Sequence, residues 1–160
     1  MQSVWTYTIQ LTDTANSFQH FAIQLCSVFA SEGSKSDFTV ERSDDNGTTF
    51  TNVNGFQLFT TDNLMNLTND LRINESGNPG TFTIFRITIL NASFFNLAAE
   101  AGTVAIRDTN TVYTFDTTYD ISTPSINCNI VTPTQPPRGI TIEDTTKIKE
   151  ILEETNAIKA

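Results

Sequence analysis

The chain has 160 residues, 38% of them hydrophobic and only 17% charged, with a net charge of −9 and an isoelectric point near 4.3. That length suits one domain with a core of its own plus a tail. The acidic balance argues against nucleic acid and anionic membranes as partners, because both select a basic footprint.

The 12 Phe stand among many Thr, Asn and Ser residues, a mixture that fits half-buried strands joined by polar turns. No apolar run reaches the length of a membrane span. Met1 leads into the first strand with no basic or apolar leader, so a soluble chain that either lacks a secretory signal or has lost it is expected.

In chain order, Trp5, Tyr7, Ile9 and Leu11 alternate with Thr6, Thr8 and Gln10, the pattern of a strand with one buried face. Phe21, Ile23 and Leu25 repeat that alternation up to Cys26, and the polar stretch from Ser31 to Ser36 ends the unit. Phe38 to Arg42 and Thr48 to Val53 flank Ser43 to Gly47, where Asn46-Gly47 supplies the positive φ of a tight hairpin. After Asn54-Gly55, Phe56 to Thr60 reads as another strand. Leu64, Leu67 and Leu71 have the spacing of a short helix, but so rich a run of Asn and Thr also fits an irregular crossover.

Asn74 to Gly80 is a loop, and Thr81 to Leu90 is the most apolar strand. In it Phe82, Ile84 and Leu90 face one way and Phe85, Ile87 and Ile89 the other, which predicts a central strand covered on both faces. Gly102 to Arg107 and Thr111 to Asp116 form a strand pair around Asp108-Thr109-Asn110. The chain is therefore expected to be all-β, a jelly-roll-like β-sandwich over 1–128.

Thr132 to Gly139, with Pro133, Pro136 and Pro137, reads as a stiff linker over 129–139. The remainder, 140–160, is expected to be an arm: a short strand at Ile140 and Ile142, then an amphipathic helix presenting Ile148, Ile151, Leu152 and Ile158. This apolar cassette beyond a proline spacer either folds back on its own sandwich or packs on a neighbouring copy.

Candidate chemistry is sparse. His20 lies on a strand with no nucleophile in a recognised context, so a structural role is expected. Asp44-Asp45-Asn46-Gly47 reads as a turn rather than a calcium loop, lacking the alternating ligands and terminal Glu. Asp116 and Asp120, beside Tyr119, are the other acidic candidates. Four Asn-x-Ser/Thr sites, at Asn46, Asn66, Asn74 and Asn91, carry little weight in so Asn- and Thr-rich a chain. No enzyme activity, cofactor or metal is expected.

Cys26 and Cys128 bracket nearly all of the strand-patterned region. If they pair, they close a loop of roughly 100 residues, for which chain entropy gives about 4 to 5 kcal/mol. Such a bond suits life outside a reducing cytoplasm.

Three segments resemble a β-rich domain of surface and spore-associated structural proteins of Gram-positive bacteria, including spore appendage and exosporium types. These are Trp5 to Ile9, Ser17 to Phe21 leading to Cys26, and Ile121 to Cys128 with its Ile-x-x-Pro step; Thr81 to Leu90 and Ala99 to Arg107 fit similar positions. The resemblance covers 1–128 and implies a Cys26 to Cys128 bond and a structural or surface-display role. The helical tail lies outside that pattern.

The expected function is a structural subunit that assembles with copies of itself into an extracellular fibre or surface layer through the arm, on a spore or cell surface. A virion capsid, decoration or tail protein is the alternative. A carbohydrate-binding module that takes surface glycans at exposed Trp5, Tyr7 or Tyr119 is the third reading.

Overall fold

A computed structural model describes residues 3–10, 17–77, 82–100, 102–115 and 121–130. The expected C-terminal strand and helix, with Ile140, Ile142, Ile148, Ile151, Leu152 and Ile158, lie outside the described residues, as do Leu11, Asp116, Tyr119 and Asp120.

Eleven strands are described: β1 (Ser3–Gln10), β2 (His20–Gln24), β3 (Phe38–Ser43), β4 (Thr51–Asn52), β5 (Phe56–Asp62), β6 (Leu67–Ile73), β7 (Phe82–Ile89), β8 (Ala99–Glu100), β9 (Val104–Arg107), β10 (Val112–Phe115) and β11 (Thr123–Pro124). They form a four-stranded sheet in the order β1-β7-β3-β4, a five-stranded sheet in the order β10-β9-β2-β6-β5, and a small β11-β8 pair. All of the pairings are antiparallel. Between the strands lie short 3-10 turns at Ser27–Phe29, Glu32–Asp37 and Ala92–Phe94.

The two larger sheets pack face to face in a sandwich-like arrangement, because each strand offers its alternate apolar residues to one shared core. β1 contributes Trp5, Tyr7 and Ile9, all buried as the alternation predicts, and β7 contributes Phe85, Ile87 and Ile89. From the other sheet come Phe21, Ile23, Leu58, Leu71, Ile73, Val104 and Ile106. Aromatic rings join the layers: Phe21 stacks on Phe85 with centroids 5.5 Å apart and meets Tyr7 at 5.4 Å. Tyr7 also reaches through the core to donate its hydroxyl to the Ser122 carbonyl at 2.8 Å.

Three expectations change. The Leu64, Leu67, Leu71 spacing forms neither helix nor crossover: β5 and β6 are a hairpin, paired from Phe56 with Ile73 to Asp62 with Leu67. Its turn is built from side-chain chemistry, with Asp62 Oδ1 accepting the amides of Leu64 and Met65 and Asn66 adopting a φ of 54°. The β3 to β4 connection does use positive φ at Asn46 (59°) and Gly47 (87°), but the loop is longer than a tight hairpin. Phe50 leaves the ladder to lie against Arg86, 3.7 Å from ring centroid to guanidinium, which shortens the expected Thr48 to Val53 strand to Thr51–Asn52.

β7 is central as expected, but its second face is only partly covered. Ile84 is buried, whereas Phe82 and Arg86 are half-exposed and Leu90 lies beyond the strand and exposed.

Candidate functional site

Cys26 and Cys128 are bonded, with Cα atoms 5.4 Å apart and a sequence separation of 102. Cys26 follows β2, the middle strand of its sheet, and is itself buried in the core. Cys128 adopts a φ of 57° in a turn organised by the fully buried Ser125. The Ser125 hydroxyl donates to Glu100 Oε2 at 2.8 Å and accepts the amides of Asn127 and Asn129. The paired structure runs two residues past the cysteine: Ala98 N–H donates to the Asn129 carbonyl at 2.8 Å, and Ile130 bridges to Leu97.

A second constellation lies on the outer face of the five-stranded sheet. Ala22 on β2 and Ala105 on β9 leave a shallow apolar floor there, and the β5–β6 hairpin tip folds over it, seating Met65 and Leu67 against both alanines. Asn69, with a φ of 52°, interrupts the alternation of β6 and lets the tip turn over the sheet. Arg107 Nη1 fastens the tip by donating to the Leu64 carbonyl at 3.3 Å.

Beneath the tip Arg72 is the hub of a polar network. It donates from Nη1 to Asp62 at 2.9 Å, from Nε to Asn74 Oδ1 at 2.9 Å and from Nη2 to Gln57 Oε1 at 3.2 Å, and it lies 4.3 Å over the Phe59 ring. Because guanidinium only donates, it turns the oxygens of Gln57 and Asn74 toward itself. Asn74 Nδ2 then donates to Gln57 Oε1, and Asn74 Oδ1 can only accept from His20 Nδ1, 3.0 Å away. His20 therefore carries its proton on Nδ1. Burial lowers its pKa, and Arg72 and Arg107 act in the same direction against the Asn74 bond and Asp62. The expected structural role of His20 takes this form: it orients an amide.

Asp62 and Asp70 complete the group, Asp62 with 2% of its surface exposed and Asp70 with none. Burial, reinforced by neighbouring Asp62, pushes the Asp70 carboxyl up to about 8, with Arg72 opposing. Sequence reasoning missed both residues and Arg72. The signal was present in Asp62-Asn63-Leu64-Met65-Asn66, a capped turn with an Asn at the left-handed position, but the helical spacing of the leucines competed with it.

The remaining candidates separate. Asp45 organises its loop, accepting the Thr49 amide and hydroxyl and the Ser43 hydroxyl, and these bonds, Thr49 first, lower its pKa to about 2. Asp44 pairs with Arg42 at 3.0 Å on the surface. Trp5 and Tyr7, which only the carbohydrate-binding reading took as exposed platforms, are core residues: Trp5 Nε1 donates to Ser3 Oγ at 2.7 Å, and burial raises the Tyr7 phenol far above its usual range. Asn46 and Asn66 are exposed, whereas Asn74 and Asn91 use their side chains in hydrogen bonds. Among the described residues no three acidic, His or Cys side chains gather as metal ligands, and no helix is long and apolar enough to cross a membrane.

Fold and site together describe a disulfide-linked, sandwich-like β domain. No family model matches the chain, and no curated protein matches its sequence.

Proposed function

We propose that the chain is a structural subunit of an extracellular fibre or surface layer, of the spore or cell-surface kind its segments resemble, in which copies associate through the arm at 140–160. The observation that carries this reading is where the disulfide sits. Among the described residues, pairing continues to Ile130, two residues beyond Cys128. A load entering from the arm thus meets the Ile130 and Asn129 contacts and then Cys128, whose bond passes it to the end of β2, the central strand of the larger sheet. Without the bond that load would peel the two-residue ladder of β8 and β11.

Edge chemistry supports the same reading. The outer edge of β5 is capped, with Leu58 N–H donating to Glu32 Oε2 at 3.1 Å and Lys35 Nζ placed over Phe56 at 4.5 Å. β1 is an eight-residue edge strand, and no described residue pairs with its outer side. Such an edge suits strand addition from a second copy, with Ile140-Thr141-Ile142 as the added strand. The jelly-roll-like winding, with the chain crossing between the two larger sheets after β1, β2, β4 and β6 and, by way of β8, after β7, belongs to this reading.

Electron microscopy and sedimentation of the full chain, beside a chain ending at Pro133, test it. Filaments or defined oligomers are expected for the full chain and monomers for the shortened one. Monomers in both, at concentrations up to the solubility limit, overturn the reading.

A further inference from the structure

Asp62 and Asp70 stand on paired strands of one hairpin, and both are buried beneath its tip. Their oxygens are unequally served. Asp62 Oδ1 accepts from Leu64 N, Met65 N and Arg72 Nη1, whereas Asp62 Oδ2 and both oxygens of Asp70 have no hydrogen-bond partner. Asp70 feels Asp62 as a like charge, and both side chains are buried. Two ionised carboxylates in that position would repel one another with one guanidinium between them and no solvent to screen them. One proton removes the conflict.

We propose that Asp62 and Asp70 share a single proton in the folded protein, and that this hydrogen bond is a latch holding the hairpin tip over Ala22 and Ala105. Asp62 Oδ1 already accepts three donors whereas Asp70 accepts none, so Asp70 carries the proton and donates its O–H to Asp62 Oδ2. When the pH rises the proton passes to solvent hydroxide as water. The tip then swings away from the sheet, hydrates both carboxylates and uncovers the apolar floor under Met65 and Leu67.

The groups facing the pair are Arg72 on β6, His20 on β2, which feels Asp62, and Arg107 on β9, which holds the Leu64 carbonyl. β10 brings no charged side chain among its described residues. Burial lowers the His20 pKa below its ordinary value. Arg72 donates to Asp62 and not to Asp70, which favours Asp62 as the ionised partner.

The sign follows from linkage. The closed form holds the proton up to about pH 8, and an open, hydrated Asp70 releases it near the ordinary aspartate value. The opening equilibrium therefore rises about tenfold per pH unit between roughly 4 and 8, then levels off.

Hydrogen exchange on the whole chain reads this directly at the Leu64 and Met65 amides, which are bonded to Asp62. Their protection factors should fall about tenfold per pH unit over that interval while Leu71 and Ile73 hold theirs. Asp70→Asn supplies an N–H to Asp62 Oδ2 with no proton to lose, and should make the two amides independent of pH. Carboxyl carbon NMR of the unaltered chain should show one pair titrating near pH 8. The proposal is overturned by flat Leu64 and Met65 protection in the wild type, by an equal fall in Asp70→Asn, or by carboxyls that all titrate below about pH 5. If Asp70→Asn does not fold, the two wild-type readouts decide alone.

Discussion

The two outer faces of this sandwich each carry an arginine paired with a carboxylate, and the pairs differ in almost everything but chemistry. On the four-stranded sheet Arg86 grips Glu41 through two bonds of 3.0 Å, with side chains 35% and 24% exposed. On the five-stranded sheet Arg72 meets Asp62 at 2.9 Å with the carboxylate 1% exposed, beneath a hairpin tip that seals it. Water screens the first pair and competes for it, so its net contribution is small. The second has lost its water, so each of its charges depends on the other. Like chemistry thus gives unequal consequences, and burial decides which pair the fold cannot lose.

The largest effect sets the scale for both faces. Replacing Cys26 and Cys128 together by Ser should cost about 4 to 5 kcal/mol in urea unfolding, because the unfolded chain regains a loop of 102 residues. A loss under about 1 kcal/mol would show that the unfolded chain is held compact by other means.

Next in size is the buried pair. Asp62→Ala strands Arg72 and strips the Leu64 and Met65 amides of their acceptor, at a cost of about 3 to 5 kcal/mol. Met65→Ala empties the apolar contact that seals the tip and should cost about 2 to 4 kcal/mol, near the lower end if the tip collapses onto the alanines. Glu41→Ala on the open face should cost only about 0.2 to 1 kcal/mol, and 0.5 M salt should narrow even that difference. Comparable losses for Asp62→Ala and Glu41→Ala would erase the contrast between the faces.

Titration sharpens the contrast further, because the faces respond to pH in opposite senses. Asp70, on the covered face, has a folded pKa above its unfolded value. Its contribution is complete below about pH 4 and is lost as pH rises toward 8. Asp45, in the loop over the open face, has a folded pKa lowered to about 2. Its contribution is present above the ordinary aspartate value and is lost as pH falls through about 2. Thermal melts across this range should therefore show greatest stability in mild acid. Asp70→Asn should flatten the alkaline limb, and Asp45→Asn should flatten the acid one. Melts that are highest at pH 8 would contradict the Asp70 assignment, and an acid limb unchanged in Asp45→Asn would contradict that of Asp45.

Much of the sandwich was legible in single residues. Trp5, Tyr7 and Ile9 alternate with polar neighbours and are buried as that pattern demands, and Asp108 closes the β9 to β10 turn by accepting two amides at 2.8 Å. The site was far less legible. Leu64, Leu67 and Leu71 satisfy a helical period as well as a hairpin whose alternation breaks at Asn69, and only the pairing of β6 with both β2 and β5 chooses between them. Trp5 and Tyr7 read equally as core or as an exposed platform until a second sheet covers them.

What the sequence by itself determined is local: strand periodicity, the positive φ tolerated at Asn46 and Gly47, the acidity of the chain and the two cysteines available to bond. Those follow from side-chain size, backbone sterics and charge, which each residue carries wherever it goes. Tertiary structure decided the rest. It joined Cys26 to Cys128 and laid Met65 over Ala22 and Ala105. It also set Asp62 against Asp70 out of reach of water. The physical reason is that desolvation belongs to no residue alone: it arises only when distant segments pack together, and it turns an ordinary aspartate into one that keeps its proton.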